Sequence, residues 1–186
     1  MIFSFDIDGT LTEYPTHWMN YLNRLNKSNF KNVNQAKIIL GRQTYSSTKD
    51  SYRKSEEKYL LPVRSEMMEA TQLIYKLGGK VFINSSRPFE NYPDMKEKTT
   101  NWLRNNNFQF ESVEKKTKEN FDKQKVDFHF DDEIMECLRL SRTTKLKKVY
   151  LIHDNAYRLI NLFRLSVTCI NFRQVVDRVQ SALDFN

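Results

Sequence analysis

Six short apolar runs, most of them separated by helix-length amphipathic stretches, limit the folds open to this chain more than any other feature. The runs are IFSFDI (2–7), KVFINS (80–85), FQFESV (108–113), KVDFHFD (125–131), KVYLIHD (148–154) and VTCINF (167–172). Ahead of the second, RSEMMEATQLIYKLGGK sets Met67, Met68, Leu73, Ile74 and Leu77 at helical spacing and stops at Gly78-Gly79. Residues 93–103 have helical character; EIMECLRLS follows the fourth run, AYRLINLFRL the fifth, and RQVVDRVQSAL closes the pattern. Strand and helix in alternation predict a parallel sheet with covering helices. One segment departs from the rhythm. Residues 13–61 are patterned as helix without a convincing strand: THWMNYLNRL places Trp18, Met19, Leu22 and Leu25 on one side, and VNQAKIIL and SYRKSEEKYL follow. A crossover needs only about a dozen residues, so the excess predicts a helical insertion after the first strand.

The polar residues that end these runs carry the chemistry. Asp6 and Asp8 close the first, before Gly9 and Thr10 break it; Ser85-Ser86-Arg87 follow the second; Asp131-Asp132 end the fourth. Side chains two apart on a strand share a facing, so Asp6 and Asp8 are expected to enter one pocket. Open α/β sheets bind ligands at the carboxyl ends of their strands. Three or four acids converging there repel unless a cation lies among them, and hard carboxylate oxygens suit Mg²⁺ better than zinc. A serine hydroxyl, a lysine ammonium and free backbone N–H groups then offer what phosphoryl oxygens require.

The net charge of +7 points the same way, since a basic surface attracts phosphates, nucleotides or nucleic acid. Cys137 and Cys169 form no CxxC pair and sit in apolar surroundings, which reads as buried thiols in a reducing compartment. No secretory signal is visible, and no apolar stretch approaches the roughly 20 residues of a membrane helix. A cytoplasmic location is expected.

DIDGT, INSSR, a lysine and FHFDD, in that order, resemble the four motifs of the haloacid dehalogenase superfamily in its phosphatase branch. The resemblance implies a Rossmann-like, doubly wound, mainly parallel core formed by residues 1–12 and 62–186, with 13–61 as a small C1-type cap. LPVRSEMMEATQLIYKLGGKVFINSSRP and TTNWLRNNNF are further similar to 5′(3′)-deoxyribonucleotidases and polynucleotide 3′-phosphatases. Carried over by position, Asp6 is the implied nucleophile and Asp8 the general acid and base. Mg²⁺ is implied at the Asp6 carboxylate, the Asp8 backbone carbonyl and Asp132, with Asp131 assisting or bound through water. Ser85 would bind the transferring phosphoryl group, with Thr10, Ser86 and Arg87 near the substrate. Lysines 115, 116, 118, 123 and 125 all precede FHFDD; Lys123 best matches the spacing of the third motif, with Lys118 or Lys125 as alternatives.

The implied activity is a Mg²⁺-dependent phosphomonoesterase acting on a nucleotide. The alternatives are a 3′- or 5′-terminal phosphatase on DNA or RNA, and a non-catalytic nucleic-acid-binding or regulatory protein. Other residues read more plainly. His129 inside its strand is expected to be a packed, satisfied histidine; His153 and Asp154 end the fifth run, where they could border the cleft, but alone they make no metal site. Thr99, Thr100 and Trp102 suit helix packing. Trp18, Tyr45, Tyr52 and Arg53 suit either the core of the insertion or contact with a nucleotide. The clusters KKTK (115–118) and KLKK (145–148) suit solvated loops or phosphate contacts.

Overall fold

The computed structural model describes residues 1–153 and 167–184. Six strands form one all-parallel sheet: β1 Ile2–Phe5, β2 Lys80–Ser85, β3 Ser112–Lys115, β4 Phe128–Asp131, β5 Lys148–Ile152 and β6 Val167–Ile170, in the order β3-β2-β1-β4-β5-β6. The order reverses beside β1, which makes the β1 end the switch point of a doubly wound sheet. Helices α1 (Thr16–Leu25) and α2 (Val33–Lys54) precede α3 (Ser65–Lys76); α4 (Met95–Asn105), α5 (Lys118–Gln124), α6 (Ile134–Thr143) and α7 (Val175–Asp184) follow. Asp154 and the AYRLINLFRL stretch lie outside the described residues.

Alternation along β1 sorts its side chains onto two faces. Phe3, Phe5 and Ile7 enter the main core with Met67, Ala70 and Ile74 of α3 and Val175 and Val179 of α7. Across the sheet Phe5 stacks on Phe130, and Phe130 on Tyr150, each pair with centroids 4.7 Å apart. Ser4 lies on the other face in a polar chain: Asn84 donates to Ser4 Oγ at 2.8 Å, and His129 Nδ1 lies 3.1 Å from the same oxygen. Phe121, Cys137, Leu140, Val149 and Leu151 fill the rest of that layer.

Two strands are shorter than their apolar runs. The ladder with β2 begins at Phe82–Ser112, so FQFESV is strand only at its end, and Phe108 instead packs with Trp102. In KVDFHFD, Lys125 takes left-handed backbone (φ +55°) to end α5, and Asp127 turns to accept from Ile2 N at 2.9 Å.

Between β1 and α3 the chain makes its helical excursion. It leaves and rejoins at one point, where Thr12 and Val63 bridge and Glu13 N donates to Pro62 O. Helix α2 is kinked at Gly41, whose φ of +70° is not helical. Trp18, Tyr21, Leu22, Phe30, Ala36, Tyr45 and Tyr52 form a cluster separate from both sheet layers. Trp18 donates to Tyr45 OH at 3.3 Å, so those two rings serve the interior of the excursion rather than a ligand face.

Candidate active site

Beyond its last ladder pairing, β1 is still tied to β4: Asp6 N donates to Phe130 O at 3.0 Å. This sets Asp6 beside the end of β4, where Asp131 and Asp132 follow the strand. Oxygens of the three carboxylates lie within 4.8 Å of one another. Asp6 is 5% exposed and Asp131 fully buried. Burial, the dominant influence, raises the Asp6 carboxyl well above its usual range, against the pull of Lys116. Burial and the neighbouring Asp131 together push Asp132 up to about 7.

Lys116 is the lysine that reaches the carboxylate cluster. Its Nζ lies 2.6 Å from Asp131 Oδ2 and 2.9 Å from Asp6 Oδ1. Burial alone would favour a neutral amine, but the two carboxylates outweigh it and hold the ammonium charged. Its backbone N–H extends the β2–β3 ladder by donating to Ser85 O at 2.9 Å, so the side chain leaves from a strand end like the acids. The expected Lys123 is instead exposed in the last turn of α5. Lys118 pairs with Asp122 on the surface of that helix, and Lys125 is spent on its left-handed cap. The spacing argument fails because α5 intervenes between β3 and β4 and carries those three lysines away from the cavity.

The remaining expected residues gather here in differing ways. Asp131 is saturated: Oδ2 meets Lys116 and His129 Nε2 (3.1 Å), and Oδ1 accepts from Glu133 N at 2.9 Å. Burial opposes its charge, yet His129 and Lys116 hold it at about 2. Buried His129 thus spans Ser4 and Asp131, and burial lowers its basicity. Asp132 accepts one bond, from Thr10 Oγ1 at 3.2 Å, so Thr10 orients an acid rather than facing a ligand. Gly9 has φ +99°, and a Cβ there would come within 2.0 Å of Asp132 Oδ2. Only glycine allows that approach. Ser85 is buried, its Oγ accepting from Arg87 N at 3.3 Å, while Ser86 is exposed at the rim.

Asp8 sits in a cationic clamp. Arg87 grips it with Nε (3.0 Å) and Nη2 (2.7 Å), and Lys58 Nζ lies 2.9 and 3.0 Å from its two oxygens. Arg87 is held in turn by Thr99 Oγ1 at 3.0 Å. Burial opposes ionisation of Asp8, but the two cations prevail and keep its carboxyl far below the usual range. Burial and Arg87 bring Lys58 down to about 8 despite Asp8. Lys58 stands in a single 3₁₀ turn, Glu56–Tyr59, in the excursion. Nothing in the polar run SEEKYL distinguishes it from a solvated lysine.

Asp6, Asp8, Ser85, Ser86, Arg87, Lys116, Asp131 and Asp132 all line one cavity of about 400 Å³, whose remaining wall includes Tyr14, Lys49, Tyr52, Arg53 and Lys58. The residues present fit a hard divalent cation. Asp6 Oδ1 is buried and, although Lys116 is near, receives no aligned hydrogen bond; Asp132 retains acceptor capacity beside it. The donor set is carboxylate oxygen alone.

No family model matches the chain, and no curated protein matches it. Solved structures do. A HAD family hydrolase from Deinococcus radiodurans R1, with bound phosphate and sodium, is 10% identical with a TM-score of 0.64, over 98% of this chain and 96% of that one. A HAD-superfamily hydrolase from Ehrlichia chaffeensis is 12% identical with a TM-score of 0.58, over 97% and 96%. D,D-heptose 1.7-bisphosphate phosphatase from B. bronchiseptica, complexed with magnesium and phosphate, is 8% identical with a TM-score of 0.57, over 100% and 99%. Identities this low speak for fold alone, and the fold this chain shares with them is a doubly wound α/β scaffold.

Proposed function

We propose that this protein is a phosphomonoesterase that works through an aspartyl-phosphate on Asp6, with Mg²⁺ as its metal and a phosphorylated small molecule, foremost a nucleotide, as substrate. One observation carries the reading: a buried carboxylate at a strand end, flanked by Lys116, Ser85 and two further acids, faces an open cavity. The phosphate recorded with the D. radiodurans and B. bronchiseptica proteins, and the magnesium with the latter, lend it support. The excursion, residues 13–61, acts as a cap.

In this mechanism Asp6 in its carboxylate form, which Lys116 favours against the effect of burial, attacks phosphorus, and the bond to the ester oxygen breaks. Asp8 in its acid form protonates the departing oxygen, then as carboxylate takes a proton from the water that hydrolyses the aspartyl-phosphate. Orthophosphate leaves and Asp6 is restored. In the structure Asp8 is held in its ionised form by Arg87 and Lys58. Those two cations are the ones a phosphate dianion draws toward itself, which loosens their hold and lets Asp8 be protonated. Lys116 and Ser85 steady the equatorial oxygens. Asp6, Asp132 and the Asp8 carbonyl would hold Mg²⁺, with Asp131 fixed behind them by Lys116 and His129. Bound there, the metal supplies charge neutralisation at the transferring phosphoryl group.

Asp6→Asn tests this. With Mg²⁺ and a panel of deoxynucleotides, ribonucleotides and sugar phosphates, the variant is expected to remain folded, with lower stability, and lose at least about 10³-fold in kcat. Near-normal turnover by the folded variant would sink the mechanism. A wild-type protein inactive on the whole panel yet binding nucleic acid tightly would instead favour the non-catalytic alternative.

The net charge of +7 favours a second reading, a terminal phosphatase on DNA or RNA. A salt titration of kcat/KM separates the two. A shallow slope is expected for the nucleotide reading, and a steep log-linear fall for a polymer.

A further inference from the structure

Five acids and five bases line the cavity, but they pair unevenly, and the cations left without an ion-pair partner lie together on one helix. Lys116 is matched by Asp6 and Asp131. Asp8 is matched twice over, by Lys58 and Arg87. Asp132 and Glu133 stand on the metal side. Lys49 and Arg53 remain, both on α2 and both lining the cavity. Neither has a carboxylate within ion-pair distance among the described residues. The nearby acid Asp50 is committed elsewhere, to Lys54 at 2.6 Å and to Tyr92 OH at 2.6 Å. Among the described residues, Arg53 contacts the face of the Tyr92 ring, 5.8 Å from its guanidinium carbon.

Lys49 and Arg53 are four residues apart, so one helix face presents two like charges that repel each other. Both are half-buried, and the ammonium of Lys49 is disfavoured first by burial and then by Arg53. Asp8 attracts Lys49, and Asp50 attracts Arg53, only at longer range, so the pair has room for an anion in direct contact. The cavity, about 400 Å³, is far larger than one phosphoryl group and falls within the range of small-ligand sites. A guanidinium fork with an adjacent ammonium suits a phosphate dianion.

We propose that Lys49 and Arg53 form a subsite for a second phosphate, so that the substrate is a phosphomonoester bearing another phosphoryl group. This rests on the reading of Asp6 as the phosphoryl acceptor, which assigns the scissile phosphate to Asp6 in the same cavity. Lys58 and Arg87, both paired with Asp8, serve the scissile phosphate and are not counted in this subsite.

Binding of non-hydrolysable probes tests the subsite apart from turnover. With Mg²⁺ present, calorimetry compares propylphosphonate with α,ω-alkane bisphosphonates of one, three and six methylenes, and with 3-phosphonopropionate. The expected result is that one bisphosphonate binds at least tenfold more tightly than propylphosphonate. The Lys49→Ala/Arg53→Ala double variant, its fold checked by thermal melting, should reduce that preference below threefold. Arg53→Gln, the milder change, should reduce it partway and covers the case in which the double variant does not fold. Equal affinities for all probes, or a preference that survives the substitutions, overturns the proposal. Binding of 3-phosphonopropionate as tight as that of the best bisphosphonate also overturns it, in favour of a carboxylate. Should the wild type show the preference yet hydrolyse no phosphomonoester, the subsite stands and the phosphatase reading falls.

Discussion

Lys116 is the residue on which the local electrostatics turn. Two carboxylates share its ammonium, all three groups nearly out of solvent. Removing one partner from a buried ionic cluster costs about 3–5 kcal/mol, because the charges left behind have neither water nor counter-ion. Lys116→Met should therefore destabilise the fold on that scale, in a denaturant titration, and abolish turnover. Lys123→Met is the matched control. On the exposed last turn of α5 it should shift stability by no more than about 0.5 kcal/mol and leave kcat/KM unchanged. A reversed outcome, with Lys123 essential and Lys116 dispensable, would restore the lysine that spacing favours. The saturation of Asp131 makes a related point at atomic detail. An acid whose oxygens are already occupied by Lys116, His129 and Glu133 N is a poor direct ligand, which leaves Asp132 as the more available donor.

At the scale of elements, the excursion has its own interior, in which Trp18 contacts Tyr21, Tyr45 and Tyr52. If it acts as a cap with separable stability, Trp18→Ala should remove about 3–5 kcal/mol from that interior and little from the sheet. Hydrogen exchange is expected to quicken across α1 and α2 while amides of β1, β2 and β4 keep their protection. Uniform acceleration through the sheet would show instead that excursion and core unfold as one. The strand–helix alternation was legible because Val81, Ile83, Val149 and Leu151 are buried by elements on both faces of a parallel sheet, which demands continuous apolar runs. The acids were legible because FDID alternates apolar and polar residues as it leaves the strand. Lys116 was not, because aromatic content drew the third strand back to Phe108, whereas pairing with β2 starts it at Ser112. With the strand at Ser112–Lys115, Lys116 becomes a strand-end residue like Asp6, Ser85 and Asp132. Lys58 left no local trace: its role depends on where a long excursion returns to the sheet, and that is set by tertiary packing.

At the scale of the whole molecule, the site links parts of the chain that meet only in the folded state. Asp6 lies near one end of the sequence and Asp132 well into its second half, and the β1–β4 pairing brings them together. A cation held between them binds the native state and has no equivalent site in the unfolded chain. By mass action such binding stabilises by about 2.7 kcal/mol when free metal is a hundredfold above its dissociation constant. For a chain of this length each kcal/mol corresponds to about 2–4 °C in Tm. Saturating Mg²⁺ should therefore raise the Tm by roughly 5–10 °C, and a chelator should reverse the shift. The shift also separates a bound ion from general screening of the +7 net charge. Sodium chloride at matched ionic strength should reproduce little of it, and Asp132→Asn should abolish most of it although the net charge becomes more positive. If Mg²⁺ and matched sodium chloride act alike on both proteins, the carboxylate cluster is not a metal site, and the mutual repulsion of its acids must be offset by Lys116 with the hydrogen bonds from His129, Glu133 N and Thr10.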